Sequence, residues 1–359
     1  MFQDPGVQVR DVETGELTTL NLSSNSMRLP DGRLVTMDLG VADVHLDAAL
    51  ANVAFGYRLA QGIADEAAPV VPSAKASDRY FVWDKDDALQ PVNNLQVAPS
   101  GAVSEVSPRL SNAPFSTMPY ALQSAISTET EANADSPLRP RIQAMRRLMN
   151  ALLIGREVRV ATMLRNPANY GDPFKSILGA TAKWNGGATS NPVQDLYTRI
   201  EDALMPITDI VMSERTWHDF VQNSAVQKYI ASKINVPGTP TPDQMVGDLA
   251  LLGLPPIRVA AMKYKDVGGG YSYVWGDDVV LLHRPANLPS DGQDIATAYT
   301  YRWTGVPAPE GTMQGGFFVR SYFDNKRGPR GSTVIVVGHN DAEVFTSDAV
   351  SGLIQGAHQ

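Results

Sequence analysis

The chain has 359 residues, a net charge of −8, and 43% hydrophobic against 19% charged residues. That is the balance of a folded globular protein with room for two domains or one large one. The absence of cysteine excludes disulfides, thiol catalysis and thiolate metal sites, and the acidic balance excludes whole-surface nucleic-acid binding while leaving room for a local basic face.

The first residues, MFQDPGVQVRDVETG, have neither the basic nor the apolar region of a signal peptide, and no run of about 18 apolar residues follows. The expectation is a soluble chain made in the cytoplasm. Residues 1 to about 50 hold short β-like runs, VQVRDVETGELTTLNL and MRLPDGRLVTMDL. The Asp31-Gly32 pair between alternating residues predicts a hairpin. From Phe55 to Asp87 an Ala-rich start gives way to the strand-like run Arg79-Tyr-Phe-Val-Trp83. The stretch that follows, to residue 118, has no helical period and little bulk. Such an excursion cannot bury itself, so it is read as a protruding hairpin that lies on a neighbouring molecule.

Ser136–Pro167 carries seven arginines and one acid. Leu138, Ile142, Met145, Met149, Leu152, Val160 and Met163 recur at steps of three and four and predict one apolar stripe on a helix over 137–165. At 1.5 Å per residue it would be roughly 43 Å long. Arg147 and Arg165 are placed opposite the stripe, with Arg141, Arg146 and Arg159 flanking it. Gly155 costs about 1 kcal/mol relative to alanine in a helix interior, and Arg156 falls inside the stripe, where an unpaired guanidinium is expensive. The pair predicts either a bend or a place where another chain supplies a carboxylate, with Glu157 beside it.

Beyond residue 190 the pattern becomes compact α/β. VQDLYTRIEDAL (193–204) and SERTWHDFVQNS (213–224) read as helices, and Thr241-Pro-Asp-Gln244 opens a third, closed by Gly253. IRVAAMKYK and YSYVWGDDVVLLH flank a glycine turn and read as a hairpin. GGFFVRSYFDN and STVIVVGHNDAEVF supply two more strands before a short polar tail.

Catalytic signatures are sparse. His45, His218, His283, His339 and His358 lie at no metal-ligand spacing and near no nucleophile motif, and read as core or surface histidines. No phosphate-binding loop, dinucleotide fingerprint or nucleophile elbow occurs. Gly276-Asp277-Asp278 is similar to the metal-binding turn of polymerase palms, but it has no partner acid motif and reads as a turn in a hairpin. Asp84-Lys85-Asp86-Asp87 lacks the calcium-loop glycine and glutamate and reads as a solvated turn.

Four segments in this order, GIADEAAPVVPSAKASDRYFVWDKDD, ETEANADSPLRPRIQAMRRLMNALLIGREVRVATML, GATSNPVQDLYTRIEDAL and YSYVWGDDVVLLHRP, resemble the tailed-bacteriophage major capsid protein family with its Hong Kong 97-type fold. The resemblance runs from about Phe55 to Ile354. It implies an α+β fold with an N-terminal arm (1–54), an E-loop hairpin (70–118), and a peripheral domain (55–69 and 119–191) holding a spine helix (137–165). An axial domain (192–313) follows, then returning peripheral strands and a C-terminal tail (314–359).

The function it implies is assembly of an icosahedral shell around double-stranded DNA, without catalysis or cofactor. The partners it implies are copies of the chain in pentamers and hexamers, packaged DNA bound without sequence preference, and scaffolding, portal and decoration proteins, with no membrane. The location it implies is the virion, after assembly in the host cytoplasm. Arg141, Arg146, Arg147, Gly155, Arg156, Glu157 and Arg159 are the expected intersubunit or spine-helix contacts, with a bend at Gly155 and Arg156 between immature and mature shells. Lys75, Tyr80, Trp83 and Lys85 are the expected E-loop contacts. Some family members crosslink a lysine to a neighbour's asparagine, but nothing in the sequence identifies partners for Lys75 or Lys85. The competing readings are an encapsulin-like compartment for protein cargo and a metal-dependent enzyme using Asp277 and Asp278.

Overall fold

The computed structural model describes the backbone strands at 7–10, 17–20, 26–28 and 34–36, and residues 53–54, 57, 59, 62–83, 110–134, 139–186, 189–234, 253–266, 268–285, 294–305 and 312–358. Near the start, β1 (Val7–Arg10) pairs antiparallel with β2 (Leu17–Leu20). β3 (Ser26–Arg28) pairs with β4 (Leu34–Thr36) around Asp31-Gly32, where the turn dipeptide predicts a hairpin.

A short helix α1 (Ala64–Ala67) leads into β5 (Val70–Ser73) and β6 (Ser77–Trp83). The chain returns through β7 (Leu110–Ser116) and β8 (Met118–Ser127), then turns through α2 (Thr128–Ala132) into the long helix α3 (Pro140–Leu164). β6 and β7 form an isolated antiparallel pair from Ser77↔Ser116 to Trp83↔Leu110. After β9 (Lys175–Ile177) come α4 (Pro192–Asp202), β10 (Asp209–Ser213), α5 (Glu214–Gln222) and α6 (Ser224–Ile234). Next are β11 (Ile257–Ala260), β12 (Lys263–Lys265), β13 (Tyr271–Tyr273), β14 (Val279–Leu282) and β15 (Ala298–Trp303). The chain closes with β16 (Thr312–Gln314), β17 (Phe317–Asp324), β18 (Ser332–Phe345) and β19 (Gly352–Gln355).

Two larger sheets organise these elements. One has the order β16-β17-β18-β15-β5, with β8 also paired to β18, and the other has the order β11-β10-β14-β19-β9. β18 is the hub of the first because its Val- and Ile-rich run suits a strand covered on both faces. Consecutive residues Val334 and Ile335 are both fully buried.

Helix α3 begins with proline in its first turn, where the missing N–H is harmless, and at 1.5 Å per residue it spans about 37 Å. It serves two cores. Met145, Leu148, Met149 and Leu152 pack with Ile126, Val319, Ile335 and Val337 of the first sheet. About two to three turns after Leu152, Val160, Ala161 and Leu164 join Ala64, Ala67, Val211, Trp275, Val280 and Leu353. Burying a large side chain of this kind contributes about 1.5–3 kcal/mol, so the helix binds both sheets along its length. A third core, with Trp184, Leu196, Ile210, Phe220, Ile230 and Ile354, lies within the second sheet and its helices α4 to α6.

Several expectations are corrected. The helix starts at Pro140, not near 137, and runs unbroken through Gly155. Arg165 does not point away from the stripe but binds Asp278. The 213–224 helix holds as α5, capped by Ser213, but a second helix that was not expected, α6, follows it at once: Asn223 ends α5 and its side-chain oxygen accepts the Ala225 N–H at the start of α6. The reading IRVAAMKYK/YSYVWGDDVVLLH as one hairpin holds only for β12 and β13. Ile257–Ala260 and Val279–Leu282 instead flank β10 in the second sheet. The polar tail is β19, whose Leu353 and Ile354 are fully buried between β14 and β9. The Thr241–Gly253 helix lies outside the described residues apart from Gly253.

Candidate functional site

The charges on α3 are concentrated at the junction between its two cores. Arg156 and Glu157 are both 2% exposed, although neither residue type is ordinarily buried. Adjacent helix residues point about 100° apart, so the two serve different neighbours. Arg156 Nη1 donates to Asp65 of α1, Nη2 donates to the carbonyl of Ala68 at 3.3 Å, and Nε lies 3.7 Å from Asp341 of β18. Glu157 accepts the backbone N–H groups of Ile63 and Ala64 at 2.8–3.1 Å, as well as the indole N–H of Trp275 at 2.8 Å. One carboxylate therefore satisfies free amides at the start of α1 and ties the helix to the second sheet's side of the molecule.

One turn on, Arg159 donates to Glu343 at 2.9 Å and stacks its guanidinium 3.6 Å from the Tyr120 ring centre. The alternation of a strand places His339, Asp341 and Glu343 on one face of β18, and that face receives α3. Arg302, opposite Asp341 in register, holds it in a bidentate pair at 2.7 Å on both arms. Burial raises the Asp341 carboxyl, but the Arg302 hydrogen bonds and the surrounding charges outweigh this and hold it below the usual carboxylate range. His339 is fully buried against Tyr120 and Phe317, and burial pulls its pKa down to about 4.

At the end of α3, Arg165 Nε donates to Asp278 at 2.8 Å, and Asp278 also accepts the Gly356 N–H at 2.9 Å. Asp277 faces Arg215 at 3.5 Å instead. The two aspartates thus diverge onto separate cations, and the Gly-Asp-Asp turn works as a clasp between α3, β14 and β19.

The structure brings Arg141, Arg156, Glu157 and Arg159 into contacts of this chain's own. Arg141 pairs with Glu131 through both carboxylate oxygens, at 2.5 and 2.8 Å. The expectation that a second chain supplies the carboxylate for Arg156 is corrected, since Asp65 and Asp341 of the same chain supply it. Arg146 and Arg147 are exposed on the opposite side of α3. In the β6–β7 hairpin, Lys75 is exposed and lies 3.3 Å from Asp78 at its base. Tyr80 is half-buried near Tyr301, with ring centres 6.1 Å apart. The side chain of Trp83 and residue Lys85 lie outside the described residues. Phe115, stacked on Tyr301 with ring centres 4.3 Å apart, anchors the hairpin. Most other described residues of both its strands are exposed or half-exposed.

Asp65, Arg302, His339, Asp341, Glu343 and Trp275 are the site residues that sequence reasoning missed. A usable signal was the period-two run His339, Asp341, Glu343 in an otherwise apolar strand. Such a run demands cations facing it, and Arg156 and Arg159 one turn apart on a helix could meet it.

No family model matches the chain. A stretch of 171 residues is 26% identical to the major capsid protein of Pseudomonas phage JBD67, covering 48% of this chain and 55% of that relative; the match thus spans about half of the relative's length. Among solved structures, a phage-related protein from Bordetella bronchiseptica RB50 superposes with a TM-score of 0.63 at 21% identity, covering 87% of this chain and 97% of that one. The capsid of Cyanophage P-SCSP1u superposes with a TM-score of 0.52 at 12% identity over 85% and 92%. The putative capsid protein of an Escherichia coli CFT073 prophage gives 0.52 at 10% over 87% and 98%. The α+β architecture is thus the Hong Kong 97-type fold of phage capsid proteins. In sequence the chain resembles the tailed-phage major capsid proteins.

Proposed function

We propose that the chain is a tailed-phage major capsid protein that self-assembles, without catalysis, into an icosahedral shell around double-stranded DNA. Its place is the virion, after assembly in the host cytoplasm. The observation that carries the reading is the β6–β7 hairpin. Among the described residues, two seven-residue strands pair only with each other, hold on to the body through Phe115 and Tyr80 against Tyr301, and leave most of their described faces exposed. A two-stranded hairpin is marginal in water by itself, so a neighbouring subunit is the natural cover. The segments 1–54, 70–118, 137–165 and 192–313 act in this reading as arm, E-loop, spine and axial domain. Pentamers and hexamers of one chain would repeat the same contacts with small adjustments.

The buried charges of α3 support a structural role for Arg141, Arg156, Glu157 and Arg159 within the subunit. They leave Arg146 and Arg147 as the candidate contacts for neighbours or for DNA phosphates; phosphate contacts of this kind carry no sequence preference. Asp277 and Asp278 are spent on Arg215 and Arg165, which removes the argument for the metal-enzyme reading. Negative-stain microscopy and light scattering of the purified chain test the proposal. Megadalton shells with nuclease-protected DNA are expected. Shells holding protein cargo and no nucleic acid would favour the compartment reading, and a compact monomer would overturn both.

A further inference from the structure

His339 is buried completely, and its environment provides for one ring proton but not two. Its Nε2 lies 3.4 Å from Asp341 Oδ2 and 3.4 Å from Arg159 Nη2, while Nδ1 has no hydrogen-bond partner. If Nε2 carries the proton and donates to Asp341, a second proton must go to Nδ1, where nothing accepts it. If Nδ1 carries it, Nε2 accepts from Arg159, and a second proton replaces that hydrogen bond with two facing cations. Both arrangements leave an imidazolium with an unsatisfied donor or a repelling neighbour, at the cost of a buried charge.

The charge count around the ring points the same way. Arg156 and Arg159 face it from α3 and Arg302 from β15. Asp341 lies on its own strand, and Tyr120 of β8 and Phe317 of β17 pack against it without formal charge. These three guanidinium groups pair with three carboxylates, Asp65, Asp341 and Glu343. The set is balanced when His339 is neutral, and protonation adds an uncompensated positive charge.

We propose that His339 is a proton-operated release for the seam between α3 and the first sheet, seated only while the imidazole is neutral. Protonation repels Arg159 from its position between Tyr120 and Glu343. Because Tyr120 lies on β8, which runs directly on from the hairpin strand β7, the loosened seam extends to the root of the β6–β7 hairpin.

The sign of the effect follows from linkage. A folded-state pKa near 4 against about 6.5 for a free histidine means that the unfolded chain holds more protons between those values. Folding stability is therefore full above about pH 6.5 and falls as pH drops towards 4. Two and a half pH units correspond to about 300-fold in the folding equilibrium. Asp341 titrates below the usual carboxylate range, so its own contribution is lost at lower pH and does not overlap this window.

The test is urea unfolding of the intact chain at intervals from pH 7 to pH 4 for the wild type, His339→Gln, and the exposed-histidine control His218→Gln. The wild type and His218→Gln should lose up to about 300-fold in folding equilibrium across the window, and His339→Gln should lose far less. Protection factors of the amides along β8 and α3, taken relative to intrinsic exchange at the same pH, should fall at pH 4.5 in the wild type and not in His339→Gln. Equal acid losses in wild type and His339→Gln would overturn the proposal. Should His339→Gln fail to fold, an NMR titration of the wild-type histidines decides. A His339 imidazole still neutral at pH 5 upholds it, and one titrating near 6.5 rejects it. None of these readouts requires a shell, so the result is independent of the capsid reading.

Discussion

Glu157 of α3 accepts the indole N–H of Trp275 at 2.8 Å while the same carboxylate receives two backbone N–H groups from the start of α1. Three donors converge on one buried anion. Glu157→Ala strands all of them and should cost about 3–5 kcal/mol, the range for breaking a buried charged contact. Trp275→Phe removes one donor, leaves the other two in place, and should cost about 1 kcal/mol for the hydrogen bond. Urea midpoints rank the two. A Glu157→Ala protein within about 0.5 kcal/mol of wild type would mean that the helix does not depend on this tie.

Asp341 and Arg156 should behave unequally although they face one another. Asp341→Ala leaves Arg302 and Arg156, 5% and 2% exposed, without their shared carboxylate, and should cost about 3–5 kcal/mol. Arg156→Met leaves Asp341 with its bidentate Arg302 partner and keeps apolar bulk in the stripe, so it should cost clearly less. Equilibrium unfolding measures the difference, and the reverse order would contradict the assignment of Asp341 as the centre of the cluster.

Two glycines should respond in opposite directions. A Cβ on Gly155 meets nothing nearer than an Arg159 nitrogen at 3.8 Å. Gly155→Ala should therefore stabilise the chain by about 0.5–1 kcal/mol through helix propensity. Gly276 has φ +54 and packs directly against the Arg165 guanidinium. Gly276→Ala must displace Arg165 from Asp278 and should lower the melting temperature. If shells form from Gly155→Ala but fail to change form, the glycine serves as a bend point in assembly.

Arg146 and Arg147 are exposed on α3. Changing both to glutamate should alter subunit stability by no more than about 0.5 kcal/mol. If their partner is packaged DNA, shells from the double variant should retain less nuclease-protected DNA, and the deficit should be largest at low salt and shrink as salt rises. Unaltered DNA content with defective assembly would assign the pair to a neighbouring subunit instead.

The long helix, the strand runs after residue 313, the Asp31-Gly32 hairpin and the self-paired 77–116 excursion were legible because each rests on local periodicity or turn chemistry. The helical period places Met145, Met149, Leu152 and Val160 on the face that is buried, and Arg156 stands out along the chain because it falls inside that stripe. The source of its carboxylates was not legible. Asp65 and Asp341 lie 91 and 185 positions away from Arg156 in the chain, and no local pattern encodes such a meeting. The fate of 352–355 was hidden for a related reason. A lone Leu353-Ile354 pair between Gly352 and Gln355-Gly356 looks like a tail until β14 and β9 exist for it to lie between.

By itself, the order of residues determined which segments are helical or extended, which faces are apolar, and that one excursion has too little bulk to shelter itself. Side-chain period and backbone preference act within a few residues, so they can be read along a line. Only the tertiary structure decided which charges are spent inside the subunit and which remain outside it. Whether a guanidinium can be buried depends on the carboxylates that distant strands deliver, because the cost of desolvation is offset only across a few ångströms.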